Sequence, residues 1–177
     1  MMAEASTQDS LYQEAADAFG PALERLARGY EADPETRRDL LQDIHVGLWR
    51  SFAGFNGRCS LRTWVYRVAH NIGATHVIRQ KRAKSARLVA LEELDGLPDR
   101  AAPAAEPDRS GDLERLLQLI QQLQPLERQV ILSYLEGLDA ASIGEITGIS
   151  AVNVATKIHR IKRILARQFQ AGGPHGE

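Results

Sequence analysis

One cysteine, Cys59, is all this chain of 177 residues has, which excludes an internal disulfide. Its five histidines are scattered, and no Cys or His spacing matches a zinc site, so neither metal nor any other cofactor is expected. No apolar run approaches the ~20 residues needed to cross a bilayer, and the opening MMAEASTQDS lacks the basic-then-apolar order of a secretion signal. These two readings point to the cytoplasm and to no membrane insertion. Strand-like alternation is missing throughout. So are the constellations of an enzyme: no paired carboxylates, no nucleophile beside a base and no Gly-rich phosphate loop stand at workable spacing, and Asp43 near His45 lacks a third ligand. Cys59 reads as a small loop or packing residue, with a redox sensor as the alternative.

The chain also has almost no net charge, -1, although a quarter of its residues are charged. The charge is segregated: residues 58 to 88 hold eight Arg or Lys and no acid, and residues 156 to 170 hold five more. Acidic stretches separate the two. Segregation of this kind is the footprint of a nucleic-acid binder, because clustered cations neutralise phosphates and release counterions.

Apolar periodicity argues for helices. Phe19-Gly20-Pro21 reads as a helix start followed by Leu23, Leu26, Ala27 and Tyr30 on one face, with a short helix possible ahead of it over 11 to 18. Asp33-Pro34 caps a second helix that carries Leu41, Ile44, Leu48 and Phe52 to about Ala53. After the turn cluster Gly54 to Gly57, Ser60 caps a third, whose stripe is Leu61, Trp64, Val65, Val68, Ala69 and Ile72. Arg62, Arg67, Arg79, Lys81, Arg82 and Lys84 lie off that stripe with Tyr66 near them, a basic face with an aromatic that suits single-stranded or partly melted DNA. Trp64 reads as core, and His70 and His76 as surface or capping residues.

From about Leu88 to Ser110 the pattern fails among Gly, Pro, Ala and acids, a linker composition. Helical spacing returns at Leu113 to Leu123, Pro125 opens a helix carrying Val130, Ile131, Tyr134 and Leu135, and Asp139 caps another. Ile143 to Val154 then reads as a helix-turn-helix: Gly148 makes the left-handed turn, Ile149 plugs the core and Ser150 caps the second helix. Val154 and Ile158 face inward, while Asn153, Thr156, Lys157, His159, Arg160 and Lys162 face a groove or phosphates. The expected fold is all-α: a bundle over 1 to 90, a linker over 91 to 110, a second bundle over 111 to 171 and a disordered tail over 172 to 177. A flexible tether of that kind lets the two bundles reorient.

Asp39 to Arg50, followed by Phe55 to Asn71, resembles region 2 of the extracytoplasmic-function sigma factors of the sigma-70 family. Leu123 to Leu138 and the helix-turn-helix resemble region 4, and both halves stand in the family's order over about residues 19 to 169. The resemblance implies a promoter-specificity subunit of bacterial RNA polymerase. It places Asp39, Gln42, Asp43 and Trp49 at the clamp helices of the polymerase β′ subunit, or in support of that contact. It assigns Asn56, Arg58, Ser60, Arg62, Arg67, Asn71 and Arg79 to the -10 promoter element, where capture of an extruded base costs a few kcal/mol that the loop and its basic flank must offset. It assigns Ser150, Asn153, Thr156, Lys157, His159 and Arg160 to the -35 element, and the second half to the β flap. Promoter DNA, core polymerase and an anti-sigma factor are the implied partners. Gly144 stands where the family usually has Ala, an expected loss of up to ~1 kcal/mol of helix stability. Val152-Asn153 and Ala155 also depart from the family pattern, so no -35 sequence can be borrowed. Two other readings of the residues remain: a free-standing helix-turn-helix regulator with an N-terminal sensor or dimerisation module, and a sigma-like adaptor that binds polymerase but no promoter.

Overall fold

A computed structural model describes residues 2–91 and 109–171, with side chains over 7–85 and 111–170. Among the described residues seven α-helices run in order: α1 (Met2–Tyr30), α2 (Pro34–Ser51), α3 (Leu61–Leu91), α4 (Arg109–Gln121), α5 (Pro125–Leu135), α6 (Ala140–Thr147) and α7 (Ala151–Ala171). A 3₁₀ turn, Phe52–Gly54, closes α2. There is no strand among the described residues, so the all-α class holds. Most of the linker and the tail, residues 92–108 and 172–177, lie outside the described residues.

The first bundle packs α1, α2 and α3 around Leu23, Leu26, Leu40, Ile44, Leu48, Val65 and Ala69, all buried. Pro34 begins α2 as expected, and Asp33 accepts from the Thr36 backbone N–H at 2.8 Å. That bond and a second one, donated by the Thr36 hydroxyl at 2.8 Å, hold the Asp33 carboxyl below its usual range. Pro21 does not start a helix. It lies inside α1, because Ala15 is fully buried and Leu11, Tyr12 and Phe19 pack against the core. That burial carries the helix through a residue with no N–H to give.

The second bundle packs α4 to α7 around Ile120, Val130, Ile131, Ile143, Val154 and Ile161. α6 opens on Asp139, which accepts from the Ser142 N–H at 2.8 Å, and closes on Gly148 at φ 78°, whose N–H returns to the Gly144 carbonyl. Ser150 accepts from the Asn153 N–H at 3.3 Å and so caps α7, while Ile149 packs against the core between the two helices. Gly144 proves to be required by this turn: a Cβ there would lie 2.7 Å from the Ile149 carbonyl oxygen. Helix propensity alone registers a cost at Gly144; the close approach of the Ile149 carbonyl is a tertiary feature that propensity does not show.

The two bundles lie against one another. Leu132 of α5 seats on Gly29 of α1, where a Cβ would come within 2.5 Å of it. Arg128 is buried; it stacks over the Tyr30 ring and donates to the carbonyls of Gln121 and Leu123 at the end of α4. Burial lowers its pKa, and no acid pairs with it among its hydrogen bonds.

Candidate nucleic-acid and polymerase interfaces

On α2, Asp39, Gln42, Asp43, Val46, Trp49 and Arg50 are all exposed, while Leu40, Ile44 and Leu48 are buried. Three- and four-residue steps put the exposed set on one stripe, acidic at its start and carrying Val46, Trp49 and Arg50 toward its end. Trp49 is fixed on it by α1: its indole Nε1 donates to Asp9 at 2.8 Å, and Gln8 donates to its carbonyl at 2.6 Å. No local pattern signals that residues 8 and 9, 41 and 40 positions away, hold Trp49.

The loop before α3 presents Asn56, Arg58 and Ser60 to solvent. Asn56 Oδ1 accepts from the Arg58 N–H at 3.2 Å, and Ser60 Oγ accepts from the Thr63 N–H at 3.0 Å. Both side chains therefore shape the loop as well as face outward. Trp64 packs edge-on against Phe55, centroids 5.3 Å apart, and donates to Ser51 Oγ at 2.9 Å, in keeping with the core reading. Cys59 is half-buried in the same loop.

The basic helix α3 is divided between two surfaces. Asn71 and Arg79 line a depression of about 410 Å³ with Asp43, Val46 and Arg50, so they share a face with the α2 stripe. Arg62 and Arg67 reach the second bundle instead: Arg62 donates to the Glu136 carbonyl at 2.8 Å and Arg67 to the Glu145 carbonyl at 3.0 Å. Tyr66, expected on the open basic face, is 2% exposed; its hydroxyl donates to Glu136, and burial with that carboxylate beside it pushes its pKa up to about 12.

His70 corrects the sequence reading most sharply. It is no surface or capping residue but fully buried, with Tyr30 hydroxyl on Nδ1 and Ser133 hydroxyl on Nε2, both at 2.9 Å. Burial pushes its pKa down to about 3, so the ring is neutral. The second histidine singled out, His76, is half-buried against Glu31 at 2.8 Å.

On α7, Asn153, Thr156, His159 and Arg160 are exposed and Lys157 partly so, opposite buried Val154 and Ile161. Val152 is 75% exposed on the same first turns. Arg160 lies 3.8 Å from Glu127, a loose surface pair of little energetic weight. The helix is thus free to enter a groove with its N-terminal turns, the geometry of a recognition helix.

Among the described residues no helix is long and apolar enough to cross a membrane. Comparison with known proteins gives both halves a family. Residues 15–83 match the Sigma-70 region 2 model and residues 113–165 the Sigma-70, region 4 model. The chain is 30% identical over 138 residues to the RNA polymerase sigma factor YlaC of Bacillus subtilis, covering 76% of this chain and 78% of that one. It is 27% identical over 140 residues to the ECF RNA polymerase sigma-E factor of Haemophilus influenzae, covering 75% and 74%. Its fold is shared by the sigma factor RpoE of Bartonella quintana, solved with the anti-sigma factor NepR (TM-score 0.66, 17% identity, 92% and 98% covered). It is shared as well by CnrH, solved with the cytosolic domain of CnrY (TM-score 0.64, 19% identity, 97% and 96% covered). Two sigma regions in the family's order, each on its own helical bundle, place this chain among the extracytoplasmic-function sigma factors of the sigma-70 family, which are RNA polymerase sigma factors.

Proposed function

We propose that the chain directs core RNA polymerase to its promoters by a division of labour between the bundles, acting where polymerase acts, in the cytoplasm, and performing no catalytic step itself. Residues 1 to 90 form the unit for polymerase and the -10 element, 91 to 110 the linker, and 111 to 171 the unit for the -35 element. The exposed stripe of α2 carries this reading: Asp39, Gln42, Asp43 and Trp49 stand together on one exposed face. They dock on the clamp helices of β′, and the second bundle on the β flap.

Asn56, Arg58 and Ser60 hold an extruded -10 base, with Arg62, Arg67 and Arg79 attracting the strand's phosphates and Asn71 offering it a hydrogen bond. Ser150, Asn153, Thr156, Lys157, His159 and Arg160 meet the -35 duplex, where Asn153 can pair bidentately with adenine and the bare Val152 methyls suit a thymine methyl. An anti-sigma factor fits the apolar groove of about 610 Å³ between α1, α4 and α5, which Leu26, Leu116, Leu132 and the exposed Leu113 and Leu135 line.

The test is co-elution with bacterial core polymerase followed by transcription from a pool of promoter fragments. New factor-dependent transcripts support the reading, and Asp43→Arg should abolish co-elution while leaving helix content intact. Normal polymerase binding by Asp43→Arg would remove the docking assignment. Retention of duplex DNA by the chain alone, with no co-elution, would favour a free-standing regulator.

A further inference from the structure

The last turns of α2 are clipped by the first turns of α1. Trp49 donates its indole N–H to Asp9 at 2.8 Å, and Gln8 donates to the Trp49 carbonyl at 2.6 Å. One turn back along α2, the Tyr12 hydroxyl meets His45 Nδ1 at 3.0 Å, the two rings edge-on with centroids 6.0 Å apart. Residues 8, 9 and 12 of α1 therefore meet residues 45 and 49 of α2, which are one helical step apart. Leu11 packs on the core and Ala15 is fully buried, which ties this stretch of α1 to the first bundle.

The bond between Asp9 and Trp49 contributes only modestly to stability, because Asp9 is exposed and Trp49 keeps 41% of its surface open. What it does fix is direction. The indole N–H is the sole polar group of a tryptophan side chain, so holding it selects one rotamer among the staggered set. Gln8 grips the carbonyl of the same residue, at a helix end where carbonyls run short of partners. Pro21 gives no N–H to the α1 ladder, so the turns ahead of it keep their place through these contacts and the packing of Leu11 and Ala15. The match to region 2 covers residues 15–83, and Gln8, Asp9 and Tyr12 all precede it.

We propose that the first turns of α1 are a positioning arm for the polymerase-docking stripe, with Asp9 the residue that holds Trp49 in its docking rotamer. This rests on the reading that Trp49 docks on β′. A side chain already held in its bound posture has no ordering left to lose on docking. Once released, Trp49 spreads over about three staggered wells, so the competent fraction falls to roughly a third and the affinity falls with it.

The test uses the full chain, with a dye on Cys59 to follow titration by bacterial core polymerase. Asp9→Ala should weaken binding about threefold. Asp9→Asn keeps an acceptor oxygen for the indole and should bind as the native chain does. In a Trp49→Ala background, itself weakened, adding Asp9→Ala should change nothing more. The second readout is the indole N–H signal of Trp49 in nitrogen-15 spectra, assigned by its loss in Trp49→Ala. Asp9→Ala should move that signal and speed its exchange with solvent, Asp9→Asn should do so much less, and the Trp64 signal, held by Ser51, should stay in place. Circular dichroism checks that helix content is kept.

Equal losses from Asp9→Ala with and without Trp49 would mean that Asp9 touches polymerase itself, and would overturn the positioning role. So would a Trp49 signal that Asp9→Ala leaves unmoved, or one that moves with no change in affinity. Native affinity in Trp49→Ala would place the fault in the docking assignment of Trp49 instead, and the arm would lose its role with it.

Discussion

Acidification should part the two bundles, and His70 sets the size of the effect. Its ring is fully buried at their junction and held neutral, its pKa pushed by burial from 6.5 to about 3. The side chains in contact with it are Tyr30 from α1, Tyr66 from α3 and Ser133 from α5, none of them an acid that could welcome a proton. A ring freed by parting titrates near its ordinary value. Between pH 6.5 and about 3 the parted form therefore binds one more proton than the closed form. The closed form's advantage is complete above 6.5 and falls as the pH drops through that window. Each pH unit is worth ~1.4 kcal/mol, so at pH 5 closure loses up to ~2 kcal/mol, roughly a 30-fold change in the ratio of closed to parted chains. The distance between labels at Cys59 and Ala166→Cys, followed from about pH 7.5 to 5, measures that ratio. His70→Gln keeps a hydrogen-bonding side chain but has nothing to titrate, and its response should be flat by comparison. If the native protein and His70→Gln responded alike, the titrating group would be elsewhere and the argument from His70 would fail.

Gly144→Ala sets two effects against one another: helix propensity favours Ala by ~1 kcal/mol, but its Cβ would lie 2.7 Å from the Ile149 carbonyl oxygen, a backbone atom that cannot rotate away. The clash should win by ~1 to 2 kcal/mol and lower the melting temperature by about 2 to 8 °C; a higher melting temperature would show that the turn relaxes freely. Lys157→Ala and Arg160→Ala should each weaken duplex binding about equally on all sequences and reduce the slope of log affinity against log salt by ~0.9; an unchanged slope would take that residue off the phosphate backbone.

The elements whose signals are local were legible. Asp33, Asp139 and Ser150 cap where their spacing predicts, Gly148 turns left-handed, and the α2 and α3 stripes bury Ile44, Leu48, Val65 and Ala69. The course of α1 is not legible locally, because Pro21 is a strong local stop signal and the burial of Ala15 that overrides it comes from residues elsewhere in the chain. The burial of His70 and Tyr66 is hidden for the same kind of reason. Their partners Ser133 and Glu136 lie 63 and 70 residues away, and nothing in the pattern of α3 distinguishes a basic face awaiting DNA from one covered by another bundle. The candidate site was legible as a list of residues but not as an arrangement: Asn71 and Arg79 fall beside Asp43, while Arg62 and Arg67 turn to α5 and α6.

That arrangement gives the charge segregation a second meaning. Cations on α3 attract phosphate, but two of them, Arg62 and Arg67, donate to the carbonyls of Glu136 and Glu145 at the negative ends of α5 and α6. Arg25 binds Glu136 through two parallel hydrogen bonds, the geometry in which arginine also grips phosphate, although it is largely exposed and contributes modestly by itself. Closure therefore rests chiefly on the buried pairings of His70, Ser133 and Gln129 and on the Leu132 seat at Gly29, which salt screens little. The Arg62 and Arg67 contacts at its edge are the exchangeable part. Such a junction resists stray nucleic acid, because releasing two edge arginines does not open the buried centre. It yields to a partner that grips α2 and the second bundle separately and holds them apart, as polymerase would on the docking assignment proposed above.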